Sequence, residues 1–470
     1  MAERFVGIQV GAVSFVDEGV EPVLDVLKER AGVNALLLAT PTWTRGTGGR
    51  QIPGVPLPDH GAQEYDLDWL GGSYTAVHER YFPDPRLARG LRAREHGDWD
   101  LFEEVVPSAR ARGLRTYAWM EESAYGPQPR LIDGWASMGE QDVLGRKVQT
   151  PCMRNPAYVA WWGAIIEDYL RSHPIDGVVW CSEKGGPLTR VLNGSRGNFG
   201  DSKVTCFCPH CREAARERGV DPEKARAGLL KLLEWQRAAA EGQRPPDGHF
   251  VSLWRILLSY PEVLAWDKLW ADGQHQMLRE MWGTVKAIDS KRQFGFHLCH
   301  MVSWSPFYRA TEDLAEMSQY CDLLKLVTYN NCAGPRYHGY QQSLNRAFLA
   351  DCSPEDTYPV MMDLLGYAED EASTFAELPT KGFGADYVRR ETERAVAQAR
   401  EGCLVCPGID IDIPTGEGQS QCSREGVRDA VLAAFQGGAH GVVLSRKYSE
   451  MRLDNLSGAG DAIRELGSAG

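Results

Sequence analysis

Eight short apolar runs alternate with amphipathic helical stretches along almost the whole chain, and few folds accommodate that pattern. The runs are Phe5–Val10, Asn34–Thr40, Leu114–Met120, Ile175–Cys181, Gln293–Cys299, Leu323–Tyr329, Leu404–Ile409 and Gly441–Leu444. Each is too short and too evenly apolar for a surface helix and reads as a strand buried on both faces. Between them lie helical patterns over Glu21–Ala31, Trp99–Arg112, Tyr158–Ser172, Val263–Ile288, Tyr387–Arg400 and Arg424–Gln436. Gly32, Gly113 and Gly402 stop helices shortly before the next strand. Alternating β and α implies a parallel sheet, and eight strands imply an α/β fold closed as a (β/α)8 barrel. An open doubly wound sheet is the alternative.

The spacing is uneven. Long insertions cover residues 41–97, 184–261 and 331–384, and each follows a strand, on the face where barrels keep their chemistry. The chain is expected to be a single domain over 1–470, its tail from Ser457 to Gly470 forming a last helix with a frayed end. A net charge of −13 argues against a nucleic-acid surface and suits a neutral or polar substrate. No apolar run is long enough to cross a bilayer, and no signal-like segment opens the chain. Twelve cysteines over this length do not make a disulfide scaffold, so a reducing, cytoplasmic setting is expected. The aromatics of 41–97 suit a neighbouring copy in a homo-oligomer as readily as a substrate.

The strand ends carry the chemistry. They deliver Trp43, Trp119, Glu121, Glu122, Glu183, Lys184, His297, His300, Tyr329, Asn330, Asp410, Asp412 and Arg446. Carboxylates, aromatic faces and polar donors around one mouth are what a carbohydrate pocket needs. Glycoside hydrolysis requires two carboxyl groups flanking one bond. Glu183, ending Ile175-Asp-Gly-Val-Val-Trp-Cys-Ser-Glu183, is the candidate acid, its apolar approach expected to raise its pKa. Asp410 is its candidate partner across the barrel, with Glu121 or Glu122 as competitors and helix capping as the competing role for Asp410. Trp43, Trp119, Glu121, His297, His300, Tyr329, Asn330, Asp412 and Arg446 are candidate substrate contacts.

Cys206-Phe-Cys-Pro-His-Cys211 places three thiols within six residues, part of a structural zinc site that needs a fourth ligand from elsewhere. Cys152, from the preceding loop, is the expected fourth ligand with Cys206, Cys208 and Cys211, and His210 is the local alternative. No organic cofactor is expected: no Walker A loop is present, and Gly46–Gly49 is a weak glycine-rich turn.

A strand ending in Glu183, followed by Cys206-x-Cys208-x-x-Cys211 and the helix Arg212-Glu-Ala-Ala-Arg-Glu-Arg, resembles the glycoside hydrolase family 42 β-galactosidases and the uncharacterised glycosidase-like barrels related to them. The resemblance implies a (β/α)8 catalytic domain, Glu183 as general acid/base and the cysteines as a structural zinc site. The chain departs from that pattern with Ser182 where Asn precedes the acid and Asp410 where a glutamate nucleophile stands. The expectation is therefore a glycosidase of unspecified sugar. A metal-dependent sugar isomerase or lyase using His297 and His300, and a non-catalytic saccharide-binding barrel, are the competing readings.

Overall fold

The computed structural model describes residues 4–50, 59–60, 66, 68–122, 126–193, 204–367 and 374–468. Parts of all three insertions, and the two last residues, therefore lie outside the described residues. Nine parallel strands form the main sheet: β1 (Phe5–Gly11), β2 (Ala35–Ala39), β3 (Arg115–Glu121), β6 (Gly177–Cys181), β7 (Gln293–Leu298), β8 (Leu323–Leu326), β9 (Leu404–Val405), β10 (Gly408–Asp410) and β11 (Gly441–Ser445). A separate antiparallel hairpin, β4 (Gly139–Gln141) with β5 (Lys147–Pro151), lies between β3 and β6.

The nine strands are eight positions of a closed (β/α)8 barrel, because β9 and β10 are two halves of one run. Pro407, which has no N–H to give, sits at the break. The first half pairs with β8 (Leu323↔Leu404, Leu324↔Val405) and the second with β11 (Gly408↔Val443 to Asp410↔Ser445). A parallel bridge, Val327↔Gly408, carries the β8 side across the break. With β11 on β1 (Phe5↔Gly441), no seam is left unpaired.

Helices Val20–Ala31, Leu101–Ala111, Pro156–Ser172, Glu262–Ile288, Ala385–Gln398, Arg424–Gln436 and Leu453–Ser468 cover the outside. The first six have boundaries within about two residues of those read from periodicity, whereas the last begins at Leu453, four residues before the expected Ser457. The first ends on Gly32 at φ 65°, a left-handed cap that relieves the terminal carbonyls of Leu27 and Lys28. The insertion 331–384 was expected as a loop. It instead opens with the helix Asn330–Leu344, directly after Tyr329.

Strand alternation separates two cores. Val6, Ile8, Leu36, Leu38, Ala118, Met120, Val178, Trp180, Phe294 and Phe296 pack outward against the helices. Ala35, Leu37, Tyr117, Trp119, Val179, Cys181, Leu323, Cys406 and Val443 fill the lumen. Period two therefore sends Glu121, Glu183, His297 and Lys325 to the lumen side, and Glu122, Ser182 and Lys184 away from it.

Candidate active site

Glu121 ends β3 and Glu183 lies two residues beyond β6, on the neighbouring strand (Glu121↔Cys181). With 54% of its side chain open to solvent, Glu183 faces an enterable space. Burial tends to raise its pKa. The hydrogen bond and charge of His297, with the charges of Arg336 and Lys325, outweigh that and pull it down to about 2. The upward shift expected from its apolar approach is thus reversed, and Glu183 is an anion. Glu121 has the opposite environment. Burial, reinforced by the charge of Glu183, pushes it up to about 7 against the opposing hydroxyls of Thr42 and Thr47 and the charge of Arg446. Thr42 Oγ1 donates to Glu121 Oε2 at 2.7 Å, fixing the carboxyl at the mouth.

Beneath Glu183 runs a short polar chain. Lys325 Nζ lies 3.3 Å from His297 Nδ1, and His297 Nε2 lies 3.0 Å from Glu183 Oε1. An ammonium can only donate, so Nδ1 accepts and Nε2 carries the proton given to Glu183. Burial holds His297 down to about 4, neutral at ordinary pH. Lys325 is fully buried, donates to Tyr329 Oη at 2.6 Å and lies 5.0 Å above the Trp119 and Tyr329 rings. Burial brings it down to about 7, and no carboxylate lies within salt-bridge distance among the described residues. Trp119 packs edge-on to His297 with centroids 5.2 Å apart and forms the floor.

The sequence did not single out Lys325 or Arg336. The signal was present for the first: a lone lysine inside Leu323-Leu-Lys-Leu326, at a lumen register. Arg336 lies on the helix Asn330–Leu344, inside what read as an insertion.

The neighbouring glutamate, Glu122, faces outward. Lys184 Nζ pairs with it at 2.5 Å, Ser182 Oγ donates to it at 2.6 Å and Tyr158 Oη also donates to it. Lys184 therefore points away from the lumen, which leaves Glu183 free of it.

Asp410 is 1% exposed, and both its oxygens are engaged. The N–H of Cys332 donates to one at 3.1 Å, and the N–H of Ile413 to the other at 3.2 Å, near the Cys422 thiol. It is a backbone clamp joining the seventh barrel position to the helix Asn330–Leu344. Asp412 is likewise occupied, by Arg452 and Asn455 near the C-terminal helix.

His300 accepts from Arg336 Nη1 at 3.0 Å on Nδ1 and meets Tyr387 Oη at 3.0 Å with Nε2. All ring nitrogens of His297 and His300 are thus engaged by different partners. Among the described residues they belong to no convergent ligand group. Asn330 donates to the Phe383 carbonyl, and Arg446 pairs with Glu450 through Nε at 2.9 Å. Trp43 stacks on Trp161 and, with Trp69, Arg130 and Gln149, lines a cleft of about 410 Å³ next to Thr42.

Cys152, Cys206, Cys208 and Cys211 are all buried, and their Sγ atoms lie within 4.8 Å of one another. Cys152 Sγ is 3.5 Å from both Cys208 and Cys211. A tetrahedral ion with metal–sulfur bonds of about 2.3 Å puts its ligands roughly 3.8 Å apart, so the cage fits a metal. The N–H groups of Arg154 and Cys208 already point at Cys152 and Cys206 sulfurs (3.4 and 3.5 Å), which suits thiolates. Without a metal the thiols share protons: hydrogen bonds from the other three hold the Cys208 pKa well below the ordinary thiol range, while Cys206 and Cys211 are pushed well above it. Cys152 is the ligand expected from the preceding loop, and the cluster needs no His210.

The fold is a (β/α)8 barrel, and solved barrels share it. No family model and no curated protein sequence matches the chain. Among solved structures, a β-galactosidase from the psychrophilic Marinomonas ef1 aligns over 99% of this chain and 60% of its own, with TM-score 0.52 and 10% identity. A glycoside hydrolase domain from Bordetella bronchiseptica aligns over 98% and 97%, with TM-score 0.50 and 12% identity. α-L-Fucosidase isoenzyme 2 from Paenibacillus thiaminolyticus aligns over 99% and 49%, at 0.48 and 11%. The chain thus spans about half of the fucosidase and three-fifths of the β-galactosidase. At such identities the likeness is one of fold.

Proposed function

We propose that the protein is a glycoside hydrolase in which Glu121 is the proton donor and Glu183 the anionic partner. One arrangement carries this reading: two lumen-facing carboxyls lie at the ends of neighbouring strands in opposite surroundings, Glu121 held by Thr42 and Glu183 by His297, which drives their pKa values apart, to about 7 and about 2. That division sorts an acid from a nucleophile or base. Glu121 gives its proton to the leaving oxygen as the glycosidic C–O bond breaks. Glu183, or a water that it deprotonates, forms the new bond at the anomeric carbon. Where Glu183 itself bonds, the Glu121 carboxylate then takes a proton from the water that releases the sugar, restoring both groups.

Asp410 is a weaker partner than the sequence suggested, because backbone donors hold both oxygens. A metal-dependent isomerase is disfavoured because His297 and His300 face different partners. The cysteine tetrad would hold a structural zinc, which supplies folding energy rather than a reactive position. We further propose a reducing, cytoplasmic setting, the expectation drawn from a cysteine content too sparse for a disulfide scaffold.

The test is a panel of nitrophenyl glycosides. Wild-type protein should hydrolyse at least one, and Glu183→Gln should lose roughly a thousandfold or more in kcat with its fold intact. Undiminished turnover in that variant removes the assignment. A panel without turnover, alongside measurable saccharide binding, favours the non-catalytic barrel.

A further inference from the structure

Arg336 is held at the mouth with little to hold on to. It sits on the helix that follows Tyr329, half-buried; burial lowers its pKa, and the charges of Cys332, Glu183 and Asp410 outweigh that and raise it. Among the described residues no carboxylate comes within 4 Å of it, and its one hydrogen bond goes from Nη1 to His300. A guanidinium has five N–H donors. Among the described residues its remaining nitrogens have no hydrogen-bond partner, and the side chain is half-buried rather than enclosed.

The group is also braced. His300 is buried, tied through Nε2 to Tyr387 and packed 4.1 Å from the Trp304 ring centroid. The neutral imidazole accepts from the guanidinium and cannot neutralise it. Arg446 adds a second positive charge nearby, but Glu450 already engages it. In the adjoining Trp43 cleft, Arg130 too has no carboxylate within 4 Å among the described residues. In a chain of net charge −13, cations without a carboxylate partner among the described residues of the catalytic face are a departure that a ligand would explain.

We infer that Arg336 seats an anionic group of the substrate, so that the protein acts on an acidic glycoside: a uronic acid or a sulfated sugar. Arg336 pairs with the substrate carboxylate or sulfate through the donors that His300 leaves free, a charge-assisted contact of the kind arginine makes best. Its charge also makes it tolerable to bring an anion beside Glu183. This inference rests on the mouth being a saccharide site, but not on hydrolysis.

Binding can be measured on the full chain carrying Glu183→Gln, with matched pairs of sugars: galactose and galacturonate, glucose and glucuronate, N-acetylglucosamine and its 6-sulfate. The acidic member of at least one pair should bind roughly 30-fold tighter or more, as for other hydrogen-bonded charge pairs, and the gap should narrow as salt is raised. Arg336→Gln should abolish the gap, and Arg336→Lys, which keeps the charge without the fork, should restore part of it. Equal binding within every pair, no binding of any acidic sugar, or a gap that survives in Arg336→Gln would each overturn the inference. Turnover of neutral nitrophenyl glycosides together with equal binding would sink the acidic preference while leaving the hydrolase reading standing.

Discussion

At the mouth of the barrel, one side chain two residues deeper or one register over changes role completely. Glu121 and Glu122 are adjacent in sequence, yet one faces Thr42 and the substrate space while the other is locked to Lys184, Ser182 and Tyr158. The pH dependence follows from the two lumen carboxyls. Hydrolysis should fall as pH rises through about 7, where Glu121 loses the proton it must donate. It should fall again only in strong acid, where Glu183 becomes protonated. A kcat/KM profile checks both limbs. Replacing Glu121 with Gln should flatten the basic limb and cost roughly 100-fold or more on poor leaving groups, with a smaller loss on nitrophenolates that need no proton.

Lys325 gives a second residue-scale prediction. Its folded pKa lies below the unfolded lysine value, so its burial costs stability below about pH 7, a cost relieved as pH rises toward 10. Lys325→Met should therefore raise the thermal midpoint by a few degrees, most clearly in acid. It should also remove a charge that holds Glu183 down, moving the acid limb of the activity profile to higher pH. The lumen register made Glu121, Glu183 and His297 legible in the sequence. Lys325 was not read because a single lysine in an apolar strand looks like a surface residue until closure puts it inside. The Asp410 pairing also went beyond what sequence can carry. A strand-end aspartate looks the same whether it faces a ligand or the N–H groups of Cys332 and Ile413.

Among the elements, strands and barrel helices were legible because period 2 and period 3.6 are written by burial itself. The insertions were not, since their order depends on contacts distant in sequence. The β4–β5 hairpin is one such case: Cys152 follows β5 directly, and Phe207 N–H donates to the Gln141 carbonyl at 2.7 Å, so hairpin and thiol loop form one unit. Spacing suggested three of the ligands, and chain direction the fourth. Purified protein should contain about one zinc per chain by elemental analysis. Cys208→Ser or prolonged strong chelation should remove it and lower the thermal midpoint through loss of folding energy. Because the cage touches none of the lumen carboxyls, the pH limbs of any remaining activity should stay where they were. A shift in those limbs on metal loss would place the metal in the chemistry instead.

For the whole molecule, the unresolved point in the sequence was closure: eight strands predict a barrel but do not show that the last half-strands meet. They meet at Gly408, which pairs with Val327 on one side and Val443 on the other. A Cβ there would come within 2.8 Å of Tyr329 Cε1 and 3.1 Å of Lys325 Cε, so this seam is tight against the floor of the site. Gly408→Val should therefore cost about 1–3 kcal/mol by overpacking, seen as a lower denaturation midpoint at unchanged slope. Hydrogen exchange should speed up first in the β8 and β11 amides that flank the seam. Activity should drop with stability, because the displaced side chains are Lys325 and Tyr329, the supports beneath His297 and Glu183. An open sheet would place Gly408 on a free edge, where the same substitution is nearly silent. Denaturation and exchange of this one variant thus test closure and the coupling of the seam to the site together.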